Sequence, residues 1–172
     1  MKLACVVQRY GRDVVGGSES HCRHVAERLA ARHDVTVLTS CATDYLSWQN
    51  VYAAGESTEG PVRVLRFASE RTRQRAQFAE LHHVIASGRA TPEEEAAWFR
   101  DNGPVVPALL EYLRSRGDTY DRVLFWTYRY FPSYFGVPLV RDRAILVPTA
   151  EDDPVVRLGA LRQFFQLPRG YV

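Results

Sequence analysis

The stretch LACVVQRYGRDVVGGSESHCRHVAERLAARHDVTVLT, residues 3 to 39, decides the fold. It opens on Leu3 to Val7, a continuous apolar run of the kind seen in strands buried on both faces of a parallel sheet. A polar, glycine-bearing loop from Gln8 to Gly17 follows. A helix is predicted from Ser18, a good N-cap, with Glu19 in the first turn where the helix dipole favours negative charge. Cys22, Val25, Ala26 and Leu29 recur at i, i+3, i+4 and i+7 and make one apolar face. His33 and Asp34 break that period, and Val35 to Thr39 reads as a second, β-branched strand. Strand, glycine loop, helix and strand in this order form a βαβ unit with a right-handed crossover.

Outward from this unit the pattern repeats. Ser40 to Gly60 reads as loop, anchored by Trp48 and Tyr52, and Val62 to Phe67 as a third strand. A helix from Thr72 to Ser87 carries Phe78, Leu81 and Ile85 on one face and stops at Gly88. Thr91-Pro92-Glu93-Glu94 supplies an N-cap, a proline at N1 and first-turn acids for the next helix, and another spans Pro107 to Arg116. Arg122 to Tyr128 and Ala144 to Val147 complete the strands, with a short aromatic helix from Pro132 to Val140 between them. Asp153, with Pro154 at N1, caps a last helix reaching Gln166. Five strands separated by helices predict a doubly wound, mostly parallel, Rossmann-like α/β sheet, one domain over residues 1–172.

Composition removes several function classes. Hydrophobic residues at 46% and charged residues at 24% of 172 exclude disorder and collagen. A net charge of +2 provides no bulk field for nucleic acid or an anionic membrane. Lys2 is the only lysine among 22 basic residues, so Schiff-base chemistry falls to Lys2 or to nothing. Cys5, Cys22 and Cys41 form neither a CxxC pair nor a zinc spacing, and an odd count without a framework suggests a reducing compartment. His21 and His24 flank Cys22 on the first helix, but Cys22 points to the sheet, so the three do not converge and no metal is expected. No run reaches the ~20 apolar residues of a membrane span, and the first strand is too short for a signal-peptide core. The chain reads as cytoplasmic. Arg71, Arg73 and Arg75 read as a solvated face, with contact to an anionic acceptor or the inner membrane face as the alternative.

Ligands of such sheets bind beyond the carboxyl ends of the strands, at the switch point beside the first strand. Gly11-Arg-Asp-Val-Val-Gly16-Gly17-Ser18 lies there and approaches the phosphate-loop pattern, but Gly17 stands where that pattern has its lysine. Nucleoside triphosphate hydrolysis is therefore disfavoured. GxGxxG is absent, and Leu38-Thr39-Ser40-Cys41 lacks the acid that would hold a ribose, which disfavours nicotinamide and flavin cofactors. What remains is Gly16-Gly17 before a helix, where an anion can approach the amides of Ser18, Glu19 and Ser20. The alternative is that the glycines only shape the turn.

Other candidates share this edge. Glu151 and Asp152 could accept hydrogen bonds from hydroxyls, whereas Asp153 reads first as a helix cap. Tyr128, Arg129 and Tyr130 offer aromatic faces for sugar C–H surfaces and a guanidinium for phosphate or carboxylate. Asp44, Tyr45 and Trp48 follow the second strand as cleft walls or as loop anchors.

The run GGSESHCRHVAERLAARHDVTVLTSCATDYLSWQN, with YDRVLFWTYRYFPSYFGVPLVRDRAILVPTAEDDP, resembles the amino-terminal domain of GT-B-fold glycosyltransferases, in particular retaining family 4. The resemblance spans essentially the whole chain. It implies transfer of a sugar, with retained configuration and without metal or cofactor, from a nucleotide-diphosphate donor to an acceptor hydroxyl. Gly16, Gly17 and Ser18 would touch the donor diphosphate, and Asp44, Trp48, Tyr128, Arg129 and Tyr130 the acceptor, a glycan, small molecule or lipid-linked sugar. Glu151 and Asp152 would be the catalytic acids, although relatives often place a histidine where Glu151 stands. The resemblance also implies a separate donor-binding domain, so this chain alone is expected to be inactive. Its last strand would leave an uncovered sheet edge able to pair two copies. A different class is the alternative: a non-catalytic module binding an anionic ligand or a partner chain.

Overall fold

The computed structural model describes every residue from Met1 to Val172. Its elements are β1 (Lys2–Val6), α1 (Gly17–Ala30), β2 (Asp34–Ser40), β3 (Gly55–Glu59), β4 (Val62–Phe67), α2 (Arg75–Ala86) and α3 (Pro92–Asn102). They continue with α4 (Pro107–Arg116), β5 (Arg122–Trp126), α5 (Phe131–Gly136), β6 (Ala144–Val147), α6 (Gly159–Phe164) and β7 (Gly170–Tyr171). The strands form one sheet of seven in the order β3-β4-β2-β1-β5-β6-β7. All neighbours are parallel except β3 and β4. The chain builds outward from β1 through β2 to β4, then returns to β1's other side with β5. The switch point therefore lies between β1 and β5, as in a Rossmann-like sheet.

The pleat explains why β1 is apolar throughout. Successive side chains alternate between faces. Leu3 and Cys5, with Val7 just beyond the strand, join the layer under α1, whereas Ala4 and Val6 join the layer under α2 to α6. β5 divides the same way, with Val123 and Phe125 on the second face and Leu124 and Trp126 on the first. The two layers are unequal, with 12 buried residues beneath α1 and 22 on the opposite face. All three cysteines are buried and free. Burial pushes the Cys5 thiol up to about 12 and holds the Cys22 thiol well above its ordinary value, so neither supplies a thiolate. No helix is long and apolar enough to cross a membrane.

Local signals act as chemistry dictates where nothing tertiary competes. Thr91 caps α3 reciprocally, accepting from the Glu94 amide at 3.3 Å while the Glu94 carboxylate accepts from the Thr91 amide at 2.8 Å. Asp153 accepts from the Val155 amide at 2.7 Å, the expected cap.

Elsewhere the expected boundaries move. α1 starts at Gly17 with Gly16 as N-cap, because the Ser18 hydroxyl is taken by Glu19 and Gln8. α2 starts at Arg75 rather than Thr72, since the Arg73 amide donates to the Ser47 carbonyl at 2.7 Å and keeps the approach extended. β5 stops at Trp126, not Tyr128, because Thr127 takes φ 58°. The last helix divides into a 3-10 turn, Pro154–Arg157, and α6. Two strands had no place in the sequence reading. β3 lies inside the expected loop, and β7 adds the pairs Ile145–Gly170 and Leu146–Tyr171 beside β6. The edge expected to remain open is therefore β7, only two residues long. The opposite edge, β3, holds its acids in ion pairs, Glu56 with Arg63 and Glu59 with Arg66.

Phe125 is fully buried at the centre of the larger layer. Phe125→Ala is expected to destabilise the fold by about 3–5 kcal/mol, read as a lower urea midpoint at unchanged m-value.

Candidate functional site

The carboxyl ends of β1, β5 and β6 open onto a cleft of about 320 Å³. One wall is the start of α1, from Gly16 to Glu19, and the other comes from Arg129, Tyr130 and Glu151, with Tyr45 closing an end.

The α1 wall is organised by a buried ion pair. Arg9 and Glu19 are 7% and 5% exposed and approach to 2.5 Å. Arg9 also donates to the carbonyls of Thr43 at 2.9 Å and Val15 at 3.2 Å. Glu19 accepts from Gln8 at 2.9 Å and from the Ser18 hydroxyl at 2.8 Å. The carboxylate is fully committed and is not a free base. Its charge is paired with Arg9, and the first amides of α1, which no side chain caps, border the cleft beside it.

The two glycines differ. A Cβ on Gly16 would lie 2.2 Å from a Glu19 carboxylate oxygen that its hydrogen bonds pin in place, so Gly16 serves packing. A Cβ on Gly17 would meet nothing within 4 Å. Gly17 is bare toward open space, which suits a ligand approaching the backbone.

The floor is strained. Thr127 and Thr149 line the cleft with φ of 58° and 45°, a left-handed conformation that β-branched residues avoid. Each costs about 1–3 kcal/mol and turns the chain sharply where β5 and β6 end. The two strands are neighbours, with Trp126 opposite Val147, so both turns bend the backbone at one place.

The sequence candidates separate into three groups. Gly16, Gly17, Ser18, Arg129, Tyr130 and Glu151 come together on the cleft. Arg129 is held by Asp153 at 2.5 Å, the acid that also caps the following turn. Burial foremost, then the Glu19 charge, raises the Tyr130 hydroxyl above its ordinary range. Asp44, Trp48 and Tyr128 lie behind this surface. Asp44 accepts from Leu46 and Ser47, the Ser47 hydroxyl foremost in lowering its pKa, and so shapes the loop that sets Tyr45 over Arg9 at 5.5 Å. Trp48 is buried, donates its indole N–H to the Asn102 carbonyl at 2.7 Å and meets Tyr130 edge-on at 5.5 Å. Tyr128 is buried against Phe165. Asp152 stands apart on the outer surface, paired with Arg157 at 2.7 Å. His21 accepts the Trp126 indole N–H at 3.2 Å.

Arg9, Thr127 and Thr149 escaped the sequence reading. Arg9 was detectable in principle, as a cation directly after an apolar strand on the ligand-binding edge. Threonine carries no signal for a left-handed turn, so the other two were not. No family model matches this chain, and no curated protein matches it.

Two sets of variants separate structural from open positions. Gly17→Ala is expected to be neutral or to stabilise by up to ~1 kcal/mol, as a helical glycine with free space, whereas Gly16→Ala loses about 1–3 kcal/mol by overpacking. Glu19→Gln leaves Arg9 buried without its counter-charge and is expected to lose about 3–5 kcal/mol in chemical denaturation.

Proposed function

We propose that this chain is the acceptor-side domain of a retaining glycosyltransferase of GT-B architecture, its cleft taking the diphosphate of a nucleotide sugar on one wall and the acceptor on the other. The observation that carries the reading is the open, lysine-free anion cradle at Gly17, facing Arg129 and Glu151 across the switch point of a parallel sheet.

In such a transfer the bond from the anomeric carbon to the diphosphate oxygen breaks, and negative charge grows on the leaving group. Amides at the start of α1 are oriented before the reaction and stabilise that charge without reorganising. The new bond forms to an acceptor hydroxyl oxygen, whose proton must leave. Glu151, exposed on the opposite wall, is the acid on the cleft not committed to a partner and can accept a hydrogen bond from that hydroxyl. Tyr130 offers an aromatic surface to sugar C–H groups. Asp152, turned away to Arg157, drops out of this scheme. In that architecture most donor contacts belong to a second domain, and the part of this one is the diphosphate cradle and the acceptor wall. One observation favours the non-catalytic reading: with Asp152 outside and Glu19 neutralised, Glu151 acts without a second acid.

Amide chemical shifts test both readings. UDP or GDP is expected to move the Gly17, Ser18 and Glu19 amides with saturation, and saccharides to move Arg129 and Tyr130. Response to the diphosphate with none to any saccharide favours the anion-binding module. Silence at α1, or a preference for NAD, overturns the glycosyltransferase reading.

A further inference from the structure

Behind the Tyr130 wall lies a second, smaller pocket, and its chemistry centres on Arg73. The buried Arg9 and Arg66 and the half-buried Arg129 each reach a carboxylate: Glu19, Glu59 and Asp153. Arg73 reaches none. Its guanidinium lies 4.3 Å from the ring centre of Phe78 and 5.2 Å from that of Trp48. Its hydrogen bonds all run from Nη2 to neutral oxygens of Asn102, the carbonyl and, at 2.8 Å, Oδ1. Nε is buried without a partner, and Nη1 makes no hydrogen bond within the protein. Burial lowers the guanidinium pKa to about 10, against a smaller opposing pull from Tyr130, Asp44 and Tyr45, none of which bonds it.

A half-buried positive charge held between two aromatic rings with no carboxylate in bonding reach is favoured by an anion that bonds it directly. The pocket it lines has about 60 Å³ of space, several times the ~10–15 Å³ that one water requires. Thr72, Gln74 and Gln77 line it with side-chain donors that bond nothing else in the protein. The acid on its rim, Asp101, is already neutralised by Arg71. α2 starts at the same place without a side-chain cap, which gives the pocket's field the same sign.

We propose that this pocket is an oxyanion subsite that takes a phosphate or carboxylate group, with Arg73 as its principal donor and the amides of Gln74 and Gln77 at its mouth. It adjoins the cleft. Asn102, which holds Arg73, also donates to the Arg129 carbonyl at 2.9 Å, and Trp48 shares its edge contact with Tyr130. A ligand in the cleft that carries an anionic substituent could therefore place it here. The subsite itself rests on Arg73 and its surroundings, and stands whether or not the cleft transfers a sugar.

The test is a chemical-shift titration of the full chain at constant pH and ionic strength, with sodium phosphate in one arm and sodium acetate in the other, against sodium chloride. Trp48 stacks on Arg73 and shares its acceptor, so its indole N–H is the reporter, distinct from those of Trp98 and Trp126. A saturable shift of the Trp48 indole and the Gln77 amide is expected. Arg73→Gln is expected to weaken it ~tenfold or more, the loss of about 1.4 kcal/mol or more from one charged hydrogen-bonded pair. Should that variant fail to fold, Gln77→Glu, which supplies a carboxylate from within, is expected to abolish the response and raise the melting temperature. Saturation with phosphate alone assigns a phosphoryl ligand, and with acetate alone a carboxylate. No saturable response at Trp48, or one that persists in the folded variants, overturns the subsite. A response confined to Gly17, Ser18 and Glu19 overturns it too, while leaving the cleft reading intact.

Discussion

The Arg9–Glu19 pair ties the end of β1 to the start of α1, and the ligand-binding edge is built around it. A strand that emerges at a switch point must turn over the sheet before its helix can pack back, and the connecting loop carries polar backbone groups that need partners. Arg9 supplies them, bonding the Val15 and Thr43 carbonyls at once and thereby joining the first loop to the loop after β2. Glu19 in turn collects Gln8 and Ser18. An interior ion pair is poor evidence of stability by itself, since desolvation offsets much of the attraction. Its effect here is geometric: Gly16 has one allowed place, and Gly17 faces outward.

The amount of this legible from residue order follows from how each signal arises. Leu3 to Val7 and Cys22 to Leu29 were readable because burial imposes a period, and a period survives in one dimension. The Thr91 cap was readable because its partners are three residues apart. β3 was not, since Gly55-Glu-Ser-Thr-Glu59 is an exposed edge with no apolar alternation, held by pairing to β4 alone. Ser18 was misplaced as a cap for a related reason: its hydroxyl bonds Gln8, ten positions away, and that preference has no local trace. Most of the cleft's candidates could be named, because the topology of a doubly wound sheet fixes which edge carries function. Their grouping could not, because Glu151 and Asp152 are adjacent in sequence and only the turn after β6 sends one to the cleft and the other outward.

Charge is distributed with the same economy. With one lysine in the chain, cationic work falls to arginine, whose fork can hold several acceptors in a plane. Arg9, Arg66 and Arg129 are each spent on an acid and on neighbouring structure. They act as joints. Arg73 is placed by rings and an asparagine instead, which holds its position without consuming its charge.

The inequality of the two layers has a consequence for motion. On one face of the sheet α2, α3, α5 and α6 brace one another through a continuous aromatic network, from Phe78 and Trp98 through Phe99 and Tyr134 to Phe164. On the other, α1 covers a thinner layer and no second helix supports it. Partial openings draw on the least-braced unit first. The least-braced element is thus α1, and it bears the glycine cradle. A ligand that grips the start of α1 would hold it to the sheet and slow amide exchange well beyond its own footprint.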